Sequence, residues 1–283
     1  MKITSILKQR PQGVSFEFFP PRTDAGKNAL LNTVRAAKGF NPLYMSMTYG
    51  AGGANQDKTV AAVHMLLDEG GVEIMPHLTC IGTNQDAIKK LLDEYKSRGI
   101  ENIMALRGDL PEGLTGTAGD FSYAKDLVGF IKKHYSDFCL GAAVYPEGHI
   151  ETSTLGQDIE YTRQKIDAGV DFCVTQMFFD NKYFYSLRER MRAKGINVPV
   201  LPGIMPLTDI NKIKQFIAIC RTTIPRHVDE KMTSFAAKPE EMEKAGIDFT
   251  IAQCRDLIKN GARQLHFFTL NKPAVIKAVL DAI

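Results

Sequence analysis

An α/β chain closed into a (β/α)8 TIM barrel is the fold this sequence predicts, one catalytic domain over residues 1–283 with an enlarged last repeat. Three observations predict it. Eight short apolar runs alternate with segments of helical period. The runs are apolar almost throughout, as parallel strands buried on both faces are. A length of 283 residues suits one barrel. A doubly wound open sheet is the alternative. It needs a glycine-rich dinucleotide turn after the first strand, and PPRTDAGK (20–27) does not supply one.

The strand-like runs are VSFEFFP (14–20), LYMSMTY (43–49), VEIMPHLTC (72–80) and NIMALRG (102–108). They continue with FCLGAAVYP (138–146), DFCVTQMFF (171–179), VPVLPGIMP (198–206) and QLHFFTL (264–270). β-Branched, aromatic and methionine residues dominate them. Between them, AGKNALLNTVRAAKGF, DKTVAAVHMLLDEGG and NQDAIKKLLDEYKSRG space their apolar residues near 3.6 and end close to glycine. DIEYTRQKIDAGV does the same, with Gly169 as its cap. Almost sixty residues separate the seventh and eighth runs. They predict a helix at DINKIKQFIAICR, a turn at TIPRHVDEKM and a further helix ending at NGARQ. No Gly/Ser or charged tract divides them from the rest, so they enlarge the last repeat.

Composition narrows the class. Apolar residues make up 44% and charged residues 24%, which supports a large core and argues against disorder. A net charge of +3 with no basic stripe gives no nucleic-acid footprint. MKITSILKQRPQG lacks an apolar core long enough for a secretory signal, and no run approaches a membrane span. The five cysteines form no CxxC pair, as expected of reduced thiols in a cytoplasmic protein.

In such a barrel the chemistry sits at the C-terminal ends of the strands, so unusual polar residues there carry the information. Glu17 is a lone carboxylate in VSFEFFPPR, and Thr48 and Tyr49 close the second run. His77 ends the third, Arg107, Gly108 and Asp109 end the fourth, Tyr145, Glu147 and His149 follow the fifth, and Gln176 lies in the sixth. Each has a plainer reading. Glu17 can pair with Arg22 or Arg107. His77 can be a core histidine, and a zinc site from His77 and Cys80 lacks a second ligand pair. The glycine-rich YGAGGANQDKT loop (49–59) fits neither the phosphate-loop nor the dinucleotide pattern. Glu17 and Asp109 as a glycosidase pair lack a tryptophan platform, for the chain has none.

FEFFPP, SMTYGAGG, PHLTC, ALRGDLP, AAVYPEGH, DAGVDFCVTQMFFD, PGIMP and HFFTLNKP occur in the order expected of the methylenetetrahydrofolate reductases. The sequence resembles that family over essentially its whole length, in its short bacterial form without an appended regulatory domain. The resemblance implies an FAD enzyme that carries a hydride from reduced nicotinamide, NADH ahead of NADPH, to methylenetetrahydrofolate. It also implies a small-molecule partner set, a homo-oligomer and a place in the one-carbon metabolism that feeds methionine synthesis. Alternatives are a flavin-free methyl-transfer barrel and a folate sensor without turnover.

By resemblance, Glu17 is the general acid that protonates the substrate and opens its five-membered ring. Its apolar strand is expected to raise its pKa. Asp109 stands near flavin and pterin, and Gln176 and Phe216 contact folate. The implied FAD contacts are Thr48, Tyr49, Ala51, His77, Arg107, Gly108, Asp109, Ala124, Tyr145, His149, Asp158 and Lys165. Arg107 and Lys165 are expected to face the pyrophosphate, and His149 the adenosine half. Lys212 stands where the family has a substrate-contacting glutamine, and Lys272 where arginine is common. Both keep positive charge near the expected glutamate tail of folate.

Overall fold

The computed structural model describes residues 1–21, 23–49, 56–109 and 119–283. Nine parallel strands form one sheet: β1 (Gly13–Phe18), β2 (Met45–Met47), β3 (Ile74–Thr79), β4 (Asn102–Leu106), β5 (Cys139–Val144), β6 (Phe172–Thr175), β7 (Val200–Leu201), β8 (Gly203–Ile204) and β9 (Gln264–Phe268). Their order is β7-β6-β5-β4-β3-β2-β1-β9-β8. β7 and β8 are the two halves of the seventh predicted run, so the sheet closes on itself and the barrel has eight staves. The break falls at Pro202, which has no N–H to give a ladder. Its carbonyl accepts from the His266 N–H at 3.0 Å. The next N–H, of Gly203, turns to the Thr175 hydroxyl at 2.8 Å.

The helices are α1 (Ile3–Gln9), α2 (Asp24–Lys38), α3 (Gln56–Glu69), α4 (Gln85–Ser97), α5 (Ala124–His134) and α6 (Leu155–Asp167). They continue with α7 (Asn181–Ala193), α8 (Ile210–Ile217), α9 (Arg226–Ser234), α10 (Pro239–Lys259) and α11 (Pro273–Leu280). Thr23, Asn84, Thr154, Asp180 and Asp209 each cap a helix with a side-chain oxygen that accepts a first-turn N–H. The sequence predicts a turn at TIPRHVDEKM, where the structure has a helix. Pro225 starts α9 rather than ending a segment, and Val228 and Met232, one turn apart, are buried.

Alternation sorts the strands into two faces. Phe16, Phe18, Met45, Met47, Leu78 and Ile103 pack outward against the helices. Tyr44, Met75, Met104, Phe172 and Val174 fill the barrel's lower interior. α1 closes that end with Ile3, Ile6 and Leu7, and the Ile3 N–H donates to the buried Asn102 Oδ1 at 2.7 Å. A third cluster lies under the enlarged repeat, where Met205, Leu207, Ile213, Val228, Met232 and Met242 meet. α10 passes Leu207 so closely at Gly246 that a Cβ there would fall 1.7 Å from the Leu207 carbonyl oxygen.

Candidate active site

Ser15 and Glu17 point into the barrel from β1, and His266 points in from β9, whose residues pair with β1 so that Ser15 lies beside His266. The Glu17 carboxylate is 6% exposed and the His266 ring 0%. Glu17 Oε2 lies 3.2 Å from His266 Nε2. On the ring's other side, Nδ1 is 2.9 Å from Ser15 Oγ and 3.3 Å from the Tyr44 hydroxyl. Tyr44 also stacks on the ring, at 5.7 Å between centroids, and Phe268 meets it edge-on. Two hydroxyls at Nδ1 favour the tautomer whose hydrogen is on Nε2, and that hydrogen donates to Glu17. From β3, His77 Nε2 comes within 3.2 Å of the same carboxylate oxygen, without the alignment of a hydrogen bond.

This geometry corrects the expected direction of the Glu17 pKa. Burial pushes the carboxyl up, but the His77 charge and the His266 hydrogen bond outweigh it and hold it down at about 2. Val14, Phe16 and Phe18, the apolar neighbours in sequence, lie on the other face of the strand. The neighbours in space are imidazoles. Arg107 is not the partner of Glu17 either: its guanidinium forms a two-pronged ion pair with Glu151, both bonds 2.6 Å. Arg22 lies outside the described residues.

A cavity of about 320 Å³ opens between the ends of β4 and β5 and helices α5 and α6. Arg107, Ala124, Tyr145, His149 and Lys165 line it. The Lys165 amine is buried, donates to the Ala143 carbonyl and lies 5.6 Å from the Tyr145 ring centre. Burial pushes its pKa down, and no carboxylate pairs with it among the described residues. A desolvated cation with one neutral partner is suited to an anion. His149 stands edge-on to Tyr145 at 4.7 Å, and its Nδ1 accepts the Glu151 N–H at 3.2 Å. Burial lowers the His149 pKa. Asp158, 4% exposed, accepts the His149 N–H at 2.9 Å and so fixes the loop that carries the ring. Gly108 has φ +87, and a Cβ there would fall 2.9 Å from Ile81.

These residues fit the flavin dinucleotide that the resemblance implies: a buried amine for a phosphate, a glycine for close approach and an aromatic-lined hollow. Thr48 and Tyr49 follow β2 at the rim, both half-buried, and Thr48 N–H donates to Phe18 O at 2.9 Å. Asp109 is exposed beyond β4. Ala51 lies outside the described residues. Gln176 turns its Oε1 back to the Met177 N–H at 2.9 Å, which leaves its amide nitrogen to donate.

The other residues expected to meet folate, Phe216, Lys212 and Lys272, lie on α8 and at the start of α11. Phe216 is half-buried on α8 against the third cluster. Lys212 is exposed, its amine 3.6 Å from Asp209. Lys272 begins α11, just past β9. Glu147 accepts from the Thr223 N–H at 3.1 Å, and Arg221 donates to the Thr152 carbonyl at 2.6 Å. These bonds tie the loop after β5 to the enlarged repeat. Sequence reasoning missed His266 and Tyr44. The available signal was the one imidazole inside the apolar run QLHFFTL. Among the described residues no His, Cys, Asp or Glu group is arranged to hold a metal ion, and no helix is long and apolar enough to cross a membrane.

The methylenetetrahydrofolate reductase family profile matches residues 2–283. The chain is 34% identical over 270 residues to 5,10-methylenetetrahydrofolate reductase of Salmonella typhimurium, covering 95% of this chain and 90% of that protein. It is 35% identical over 283 aligned positions to methylenetetrahydrofolate reductase (NADH) 1 of Arabidopsis thaliana, covering 95% and 48%. The chain thus spans about half the length of the curated yeast and plant relatives it matches. Among solved structures, an uncharacterized protein from Clostridium thermocellum that binds two copies of 5-methyl-5,6,7,8-tetrahydrofolic acid superposes with a TM-score of 0.64. That likeness covers 98% of this chain and 95% of the other at 13% identity, and it concerns the fold.

Proposed function

The chain belongs to the methylenetetrahydrofolate reductase family, and from that premise we propose that it reduces 5,10-methylenetetrahydrofolate to 5-methyltetrahydrofolate. FAD is the bound cofactor and a reduced nicotinamide the donor, with NADH ahead of NADPH, as in the name of the plant relative. When bound, the flavin supplies a two-electron carrier between nicotinamide and folate. The observation that carries the reading is the buried Glu17 carboxylate beside two imidazoles at the rim.

The methylene carbon is a poor hydride acceptor until nitrogen 10 is protonated and the ring opens to an iminium cation. The chain's task is to hold and deliver that proton. A carboxyl held at about 2 is ionised at neutral pH, so Glu17 must take up a proton before it can give one. His266 Nε2–H already faces Glu17 Oε2. Glu17 takes a proton from solvent and passes it to nitrogen 10, and the carboxylate that re-forms is held by the His266 Nε2–H, whose ring the Ser15 and Tyr44 hydroxyls fix at Nδ1.

Around this centre, Asp109 sets a negative charge near pterin and flavin, and the free amide nitrogen of Gln176 donates to folate. Phe216 packs on substrate, and Lys212 and Lys272 attract the glutamate tail. Thr48, Tyr49, Ala51, His77, Arg107, Gly108, Ala124, Tyr145, His149, Asp158 and Lys165 hold the cofactor. Lys165 is its ready counter-charge, because Glu151 engages Arg107. A cytoplasmic homo-oligomer that supplies methionine synthesis completes the reading.

The visible spectrum tests it. The purified protein should be yellow, bleach with NADH under argon, and recover colour when methylenetetrahydrofolate is added. A colourless protein that added FAD fails to reconstitute overturns the proposal.

A further inference from the structure

A second cavity, of about 360 Å³, opens on the face opposite the rim, at the N-terminal ends of the strands. Its walls are the end of α7, the segment 196–200 that leads into β7, and the segment 261–264 that leads into β9. Phe184, Met191 and Ile196 lie buried beneath it, and most of the surface it presents is polar. Three guanidinium groups, of Arg188, Arg192 and Arg263, line it as well, and no acidic residue does.

The state of those three arginines sets them apart. Nine of the twelve described arginines donate to, or pair with, a carboxylate or another oxygen. Arg188, Arg192 and Arg263 are the three without such a partner among the described residues, and all three converge on this one cavity. Arg188 has only the Phe184 ring, 5.7 Å from its guanidinium carbon. Compensation of the α7 dipole accounts for basic residues in that helix's last turn. It does not account for Arg263, which comes from the far side of the barrel seam, just ahead of β9.

Guanidinium groups bind phosphate and carboxylate oxygens in pairs of parallel hydrogen bonds. The volume is that of a small-molecule site. We propose that this cavity binds a small dianion, a phosphate monoester or a dicarboxylate of about ring size. The site is separate from the folate and flavin rim, since it lies at the other end of the strands.

Calorimetric titration of the FAD-saturated protein tests this, with phenyl phosphate and phthalate as the two probes and benzoate as the monoanionic control. One saturable site is expected for at least one dianion, with benzoate at least tenfold weaker. The double variant Arg192→Ala/Arg263→Ala alters two exposed positions and should weaken binding at least tenfold with an unchanged visible spectrum. Arg263→Glu alone should weaken it in the same direction. The tighter probe tells phosphate from dicarboxylate. Absence of saturable binding for both dianions, or an affinity unaltered by these substitutions, overturns the proposal.

Discussion

Glu17 and His266 approach each other diagonally across the β1–β9 seam, with carboxylate Oε2 and imidazole Nε2 3.2 Å apart. The contact is buried but for the edge of Glu17 at the rim, so removing either partner strands the other in a medium that solvates it poorly.

Glu17→Gln is expected to leave flavin reduction by NADH near its original rate and to slow reoxidation by methylenetetrahydrofolate by about 10²–10⁴-fold, the range of general acid catalysis. Stopped-flow absorbance of the two half-reactions checks this. Equal losses in both contradict the acid assignment.

The depressed Glu17 pKa has a stability signature. The folded value of about 2 lies below the ordinary 4.5, so the carboxylate's contribution is complete above pH 4.5 and is lost as pH falls toward 2. The loss is on the order of 3 kcal/mol across that window. Urea unfolding of the original protein and of Glu17→Gln, at pH 6 and pH 3, should show a steeper decline for the original.

His266→Asn removes the donor that faces Oε2, and the Glu17 carboxyl should rise toward its ordinary range. A ¹³C titration of labelled glutamate carboxyls reads that shift directly. The variant should also lose about 1–3 kcal/mol of stability, because Ser15, Tyr44 and Glu17 keep polar groups where a partner was.

Lys165→Met replaces a buried amine whose one hydrogen-bond partner is the Ala143 carbonyl. The flavin-free protein should melt at the same or a higher temperature, while FAD binds at least about tenfold more weakly, the equivalent of 1.4 kcal/mol. A fall in stability with unchanged FAD affinity contradicts its role as the phosphate's counter-charge.

Gly108→Ala must adopt φ +87 and push against Ile81 and Thr79. It should cost about 1–3 kcal/mol of stability and displace Arg107 and Asp109, its neighbours in the rim. Thermal melting and FAD titration together measure both effects.

The barrel was legible because eight apolar runs are hard to bury in any other way, and each contains a stave of the sheet. α1 was less so: ITSILKQ carries its apolar residues at 3, 6 and 7, too short a pattern to separate from an irregular leader. The rim residues were legible as polar side chains at strand ends. The protonation of Glu17 was not, because a pKa answers to neighbours in space. His77 and His266 reach that carboxylate from strands some sixty and two hundred and fifty positions along the chain. TIPRHVDEKM misled for a related reason: proline both ends helices and starts them, and only the burial of Val228 and Met232 tells which.

The interruption at Pro202 makes the wall a ring with one clasp. Two short strand halves meet there, and a threonine hydroxyl stands in for a missing rung. β8, β9 and β1 lie on one side of the clasp and β6 and β7 on the other. Any give at the clasp therefore moves Gln176 relative to the Glu17–His266 pair while leaving that pair intact. On the proposed function, the Glu17–His266 pair is carried rigidly on one arc, and the amide assigned to folate rides on the other.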